Sequence, residues 1–226
     1  ACLFNMDFPK SFWKSERKLA DRYASLLASQ PEITDKIKSW QEISPEDKKD
    51  VIKQAAKTFE YVYGTVPEIV FFTPEEERAK RRKAGLNEEA HINAAYYHNG
   101  KIHFNEERLQ ESDNLFGISV LFHEGTHHRQ HGQNFDDALV NRIFDCDMFN
   151  AALYEDELNN KTSTTYKDLY CMQPTETHAH GLQEYMEHQF MEKAAIQKSP
   201  HADTKETRYV HNKAFSMARL TQYRSQ

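Results

Sequence analysis

The chain has little of what makes tight turns: seven glycines and seven prolines in 226 residues. An all-β fold, with a turn about every 8–12 residues, lacks the material here, and helices are expected to dominate. The three cysteines, Cys2, Cys146 and Cys171, are too few and too irregularly spaced for a disulfide framework or a cysteine zinc site. One bridge plus a thiol, or three buried thiols, both remain open. There is no apolar run of about 18 residues, so no membrane span is expected. Nor is there a basic excess: 29 Lys and Arg stand against 35 Asp and Glu, a net charge of −6. That balance argues against nucleic acid or an anionic membrane as the main partner. The first residue is Ala, which fits a cleaved signal peptide, removal of an initiator Met or a trimmed start. A secreted or exported location is compatible with the first of these, and the compartment stays open.

What the chain does have is rings. Aromatics make up 12 %, with 14 Phe and 11 Tyr, so the core is expected to be built on them. The length favours one domain spanning 1–226: N-terminal helices over 1–64, strands and a central helix over 65–131, and a helical C-terminal part over 132–226. The expected class is α+β and mainly helical. "SPEDKKDVIKQAAKTFEYVYG" predicts a helix with Ser44 as N-cap, Pro45 in the first position and Gly64 at its end. An earlier helix over "SERKLADRYASLLASQ" should turn Leu19, Tyr23, Leu26 and Leu27 inward. "PEIVFFT" reads as a strand over 67–73, and the charge run after it as a solvated helix or loop. Asn99-Gly100 lies between two β-prone segments, a strong hairpin signal, which places strands over 92–97 and 101–105. Helices follow over 113–131 with Asp113 as N-cap, 136–157, 174–197 and 203–223.

The helix over 113–131 carries the chemistry. His123-Glu124-Gly125-Thr126-His127 has the form H-E-x-x-H. Two histidines four apart lie one above the other on a helix, so both imidazoles reach one cation from a rigid platform. Glu124 projects toward the same cleft, where a carboxylate can take a proton from water. In a chain with 12 histidines the pattern needs context. It has three pieces: the helix has an apolar side, it follows a hairpin, and a later helix carries carboxylates.

Together with "NAAYYHNGKIHF", the motif resembles the gluzincin branch of the zincin metallopeptidases, over roughly residues 90–190. The resemblance implies a small β-sheet above an active-site helix, a downstream glutamate helix, a zinc ion, and hydrolysis of peptide or protein substrates. Asn93, Ala94 and Tyr96 match the Asn-Ala-x-aromatic segment that binds substrate backbone in that family; the bland reading of Tyr96 and Tyr97 is alternating strand residues. A third ligand is implied on the downstream helix, where "QPTETHAHGLQEYMEHQF" offers Glu176, Glu184 and Glu187. Glu176 fits the family's Pro-x-Glu-x-x-Ala form through Pro174 and Ala179. The metzincin branch is excluded, because Gln130 and Gln133 stand where it requires Gly and His. The family also takes a His, Tyr or Arg from beyond the glutamate helix to stabilise the oxyanion; "TRYVHNKAF" supplies Arg208, Tyr209 and His211, with His211 favoured and Tyr209 next.

Two departures stand out. The gap from His127 to Glu176 is longer than in compact members, with room for a whole helix. The position four after Glu176 is often an acid that orients the first histidine, and here it is His180. His128 and His131 read as bystanders, and His178 and His180 as ordinary polar surface or as support around the metal. The implied enzyme is a zinc endopeptidase, with Glu124 as general base and His123, His127 and Glu176 as ligands. The rival is a non-catalytic helical binding or effector protein whose histidines hold a structural metal or none.

Overall fold

The computed structural model describes residues 8–88, 92–132, 135–145 and 173–199. The chain is mainly helical with a small three-stranded mixed sheet, as expected of an α+β protein. Helices α1 (Lys10–Ala28), α2 (Pro31–Lys38) and α3 (Pro45–Tyr63) come first, then β1 (Glu68–Phe72) and α4 (Pro74–Lys83). The hairpin β2 (Ala95–His98) and β3 (Lys101–Asn105) leads into α5 (Glu106–Glu111) and α6 (Phe116–His131). Residues 138–145 are helical, and α7 (Pro174–Ala194) follows.

Local chemistry explains several boundaries. Ser44 Oγ accepts the Asp47 backbone N–H at 3.1 Å and starts α3, while Gly64 at φ 75° ends it, both as expected. Asn99 and Gly100 take φ 49° and 76°, the pair of positive angles that a two-residue hairpin matched to strand twist requires. Helix α4 carries a full capping box between Thr73 and Glu76 and buries no residue, in line with a solvated charge run.

Other boundaries differ from expectation. Strand β2 begins at Ala95, so Asn93 and Ala94 precede it; their carbonyls accept from the Asn105 side chain (3.4 Å) and backbone (2.9 Å). The helix expected from Asp113 starts at Phe116. Asp113 Oδ1 instead accepts the Leu115 N–H at 2.8 Å in a turn that precedes the helix. Helix α5, capped by Asn105, and helix α2 were not expected. Helix α7 stops at Ala194 rather than near 197. Ala195 turns left-handed and the Ile196 N–H reaches the Met191 carbonyl, which brings the apolar Ile196 back onto the core. On α1 the buried stripe is Phe12, Trp13, Glu16, Ala20, Tyr23, Ala24 and Leu27, whereas Leu19 and Leu26 are only half-buried. Two wide aromatic side chains at 12 and 13 rotate the packed face toward the rings of Phe8, Phe135 and Phe144. The second half of the helix expected over 136–157, the helix expected over 203–223 and all three cysteines lie outside the described residues.

The sheet has the order β1-β3-β2, with β1 parallel and β2 antiparallel to the central β3. One hydrophobic cluster joins α1, α2, α3, β3, α6 and α7, and its largest buried side chains are mostly rings: Trp13, Trp40, Tyr23, Phe59, Phe104, Phe122, Phe144 and Phe190. Helix α6 lies in the middle, packed on α3, α7 and the sheet. Its approach to α3 is close enough that a Cβ on Gly125 would stand 2.7 Å from the Phe59 ring. A glycine inside the H-E-x-x-H segment is what lets this helix sit so deep. Among the described residues, no helix is long and apolar enough to cross a membrane.

Candidate metal centre

The burial of α6 brings its polar side against the first turns of α7. Pro174 opens α7, and Glu176 sits in the first turn, where a carboxylate is favoured by the helix dipole. From there the carboxylate meets both histidines. Its Oε2 is 3.5 Å from His123 Nε2 and its Oε1 is 3.4 Å from His127 Nε2, while the two Nε2 atoms are 3.0 Å apart. Neighbouring donors held about 2.0–2.1 Å from a tetrahedral cation are roughly 3.3 Å apart, so the three side chains fit around one ion. The Oε2 of Glu176 is buried without a hydrogen bond among the described residues, as suits an atom with a cation for its partner. His123, His127 and Glu176 thus form a largely buried group that can hold a metal ion.

The charges in the group are strongly coupled. Burial pulls the His127 pKa down, but the Glu176 carboxylate, helped by Glu124 and Gln130, outweighs it and pushes the group up to about 9. Burial would raise Glu176, and the two histidines instead hold it well below the ordinary carboxylate range. Glu124 is half-buried beside its ligand neighbour.

The other carboxylates of α7 go elsewhere. Glu187 accepts from Gln183 at 3.0 Å and pairs with Lys198 at 3.6 Å, and Glu184 is half-buried outside the group. His180 lies against the site. Its Nε2 is 3.6 Å from Glu176 Oε2 and its ring centroid is 4.4 Å from that of His123. His178 is buried completely inside a box of Phe8, Phe12, Trp13, Phe135 and Phe144. Ordinary polar surface is therefore the wrong description for both histidines. Phe12 and Trp13 of α1 cover His178, and His180 packs against His123 and Glu176.

Beneath His123, His127 and Glu176 runs a chain of polar side chains that sequence reasoning missed. His127 Nδ1 is 2.7 Å from Gln130 Oε1; Gln130 Nε2 is 3.0 Å from the Thr175 carbonyl and 2.9 Å from His178 Nδ1; His178 Nε2 is 3.1 Å from Glu16 Oε2. Glu16 also receives both Nη groups of Arg129 at 2.8 Å, a bidentate pair that is almost wholly buried. Burial alone would raise the Glu16 carboxyl, but Arg129 and His178 hold it at about 2. Arg129 lies 4.3 Å above the Tyr63 ring and 5.0 Å from that of Phe135. The one available signal was an Arg on the apolar side of a helix, two residues after His127.

The remaining site expectations separate. His128 is a structural tie, hydrogen-bonded to Thr65 Oγ1 at 2.9 Å and to the Tyr97 hydroxyl at 3.0 Å, and exposed His131 packs on Tyr97. Tyr97 is therefore the strand tyrosine on the α6 side. Tyr96 points to the opposite face, stacked 4.6 Å from His103. Exposed Asn93 and half-buried Ala94 lie just before the edge strand. Tyr209 and His211 lie outside the described residues. No protein-family model matches the chain, and no curated protein and no solved structure matches it.

Proposed function

We propose that this protein is a zinc-dependent peptidase of gluzincin type. The observation that carries this reading is the convergence of His123, His127 and Glu176 from two helices, with Glu124 next to the first ligand. A set of two imidazoles and one carboxylate is typical of catalytic zinc, since three protein ligands leave one position for water or substrate. Zinc at such a centre supplies Lewis-acid polarisation of a water and of the carbonyl under attack. Glu124 takes a proton from the attacking water and passes it to the amine as the C–N bond breaks. Asn93 and Ala94, just before edge strand β2, hold the backbone of an extended substrate, and Tyr96, on the sheet face away from α6, takes no part in that contact. His211, or Tyr209, donates to the developing oxyanion.

The test is zinc content and peptide hydrolysis, measured together on wild type and Glu124→Gln. The reading expects one zinc per chain in both proteins, and activity reduced at least about 100-fold in the variant. Equal activity in the two would remove Glu124 from the mechanism.

One observation favours a second reading, a non-catalytic binding or effector protein with a structural metal. His180 Nε2 lies 3.6 Å from Glu176 Oε2, outside the three residues whose donor atoms converge, and it would become a fourth protein ligand by moving toward the ion. Under that reading His180→Ala weakens zinc binding severely and no variant hydrolyses peptides. Under the peptidase reading His180→Ala keeps its zinc.

A further inference from the structure

The chain of polar groups beneath the ligands has only one consistent assignment of protons. The Thr175 carbonyl can only accept, so the Gln130 side chain must turn its amide nitrogen toward it, 3.0 Å away. Its carbonyl Oε1 then faces His127 Nδ1 at 2.7 Å, and that nitrogen must carry the proton. The second Gln130 N–H points at His178 Nδ1, 2.9 Å away, which must be a lone pair; the His178 proton therefore sits on Nε2 and is donated to Glu16 Oε2 at 3.1 Å. From the far end the direction is the same. Two Arg129 N–H groups hold Glu16 as a carboxylate, so it can only accept. Flipping any one member sets two donors or two acceptors face to face in a site without solvent, and each such conflict costs about 1–3 kcal/mol.

We propose that Gln130 is a positioning residue that holds His127 as the Nδ1-protonated tautomer, with its Nε2 lone pair aimed at the cation, and that His178 and Glu16 lock Gln130 in that orientation. A carboxylate, a backbone carbonyl or a water usually orients a metal-bound imidazole, and here a side-chain amide does so, its own direction set by a buried ion pair that reaches α1. The N-terminal helix is thereby part of the metal centre, although it supplies no ligand. The inference rests on the metal reading of the site and does not depend on peptide hydrolysis.

The full chain labelled with ¹⁵N-histidine and loaded with Zn²⁺ provides the first measurement. A long-range ¹H–¹⁵N spectrum is expected to place the His127 proton on Nδ1 and the metal on Nε2. Competition with a chromophoric chelator provides the second, in which Gln130→Leu is expected to bind Zn²⁺ about 10–100-fold more weakly than wild type, with a circular dichroism melt confirming that it folds. A folded Gln130→Leu that holds Zn²⁺ as tightly as wild type overturns the inference. So does a zinc-loaded wild type with the His127 proton on Nε2, a result that needs no variant to fold. A wild type that takes up no Zn²⁺ removes the metal centre and this inference together, whereas zinc bound by His123, His127 and Glu176 without help from Gln130 leaves the centre standing and removes only the inference.

Discussion

Helices α4 and α7 are both rich in polar side chains, and their fates are opposite. Helix α4, "PEEERAKRRK", buries none of its residues and is held by a capping box and by charges matched to its dipole. Helix α7 buries every residue from Glu176 to Gln183, a run that includes two histidines, a glutamate and a glutamine. Polarity alone does not decide burial; partners do. The polar groups of α7 meet His123, His127 and Gln130 on one side and Glu16 on the other, so their desolvation is offset by hydrogen bonds and opposite charge. Those of α4 include pairs that stay in solvent, such as the exposed Arg82–Glu88 pair.

Removing a partner from beneath α7 should have the largest effect on stability. Arg129→Ala strands the Glu16 carboxylate among rings, and urea unfolding at pH 7 is expected to show a loss of about 3–5 kcal/mol. Arg82→Ala on α4 breaks an ion pair in solvent and is expected to leave the midpoint unchanged within error.

Acid should attack the same contrast without a mutation. The Glu16 carboxyl is at about 2 in the folded protein against an ordinary value of 4.5, so its contribution is complete above pH 4.5 and is lost as the pH falls toward 2. The difference corresponds to about 3 kcal/mol. Urea titrations from pH 6 to pH 2.5 should show a smaller loss of stability for Glu16→Gln than for wild type. An equal loss would mean that Glu16 does not titrate with folding.

A smaller effect is expected where α6 is seated. Gly125→Ala sets a methyl against the Phe59 ring, 2.7 Å away, at a cost of about 1–3 kcal/mol. The double variant Gly125→Ala, Phe59→Leu should recover part of that cost in thermal melts, because the offending ring is gone. A local effect is expected at Thr73→Ala: loss of the α4 cap should fray that helix by hydrogen exchange and leave protection of the buried core unaltered.

What could be read from the sequence was local. Ser44, Pro45 and Gly64 bound α3, and the Asn99-Gly100 turn sets the hairpin, because each acts through backbone groups a few residues away. The pairing of His123 with His127 follows from helical pitch in the same way, whereas Glu176 was favoured among three glutamates only through the Pro-x-Glu-x-x-Ala form that the resemblance implies. The roles of Glu16, Gln130 and His178 were not legible. Glu16 meets Arg129 across 113 residues and His178 across 162, and no short-range pattern encodes such a meeting. Helix α2 was missed because it is short, its buried Ile33 and Ile37 lying on a helix packed against α1 and α3, and the start of α6 was shifted because Asp113 serves a turn where a cap was expected.

The sequence by itself determined the period of the long helices, both ends of α3, the hairpin turn, and a platform of two histidines with a glutamate between them. All of these arise from backbone hydrogen bonding and side-chain spacing within a few turns. Only the tertiary structure decided that Glu176, rather than Glu184 or Glu187, meets those histidines, and that an N-terminal glutamate stands behind them. Desolvation is the physical reason: a carboxylate or an imidazole enters the interior only where another element presents the complementary charge or hydrogen bond, and which elements meet is settled by packing the whole core.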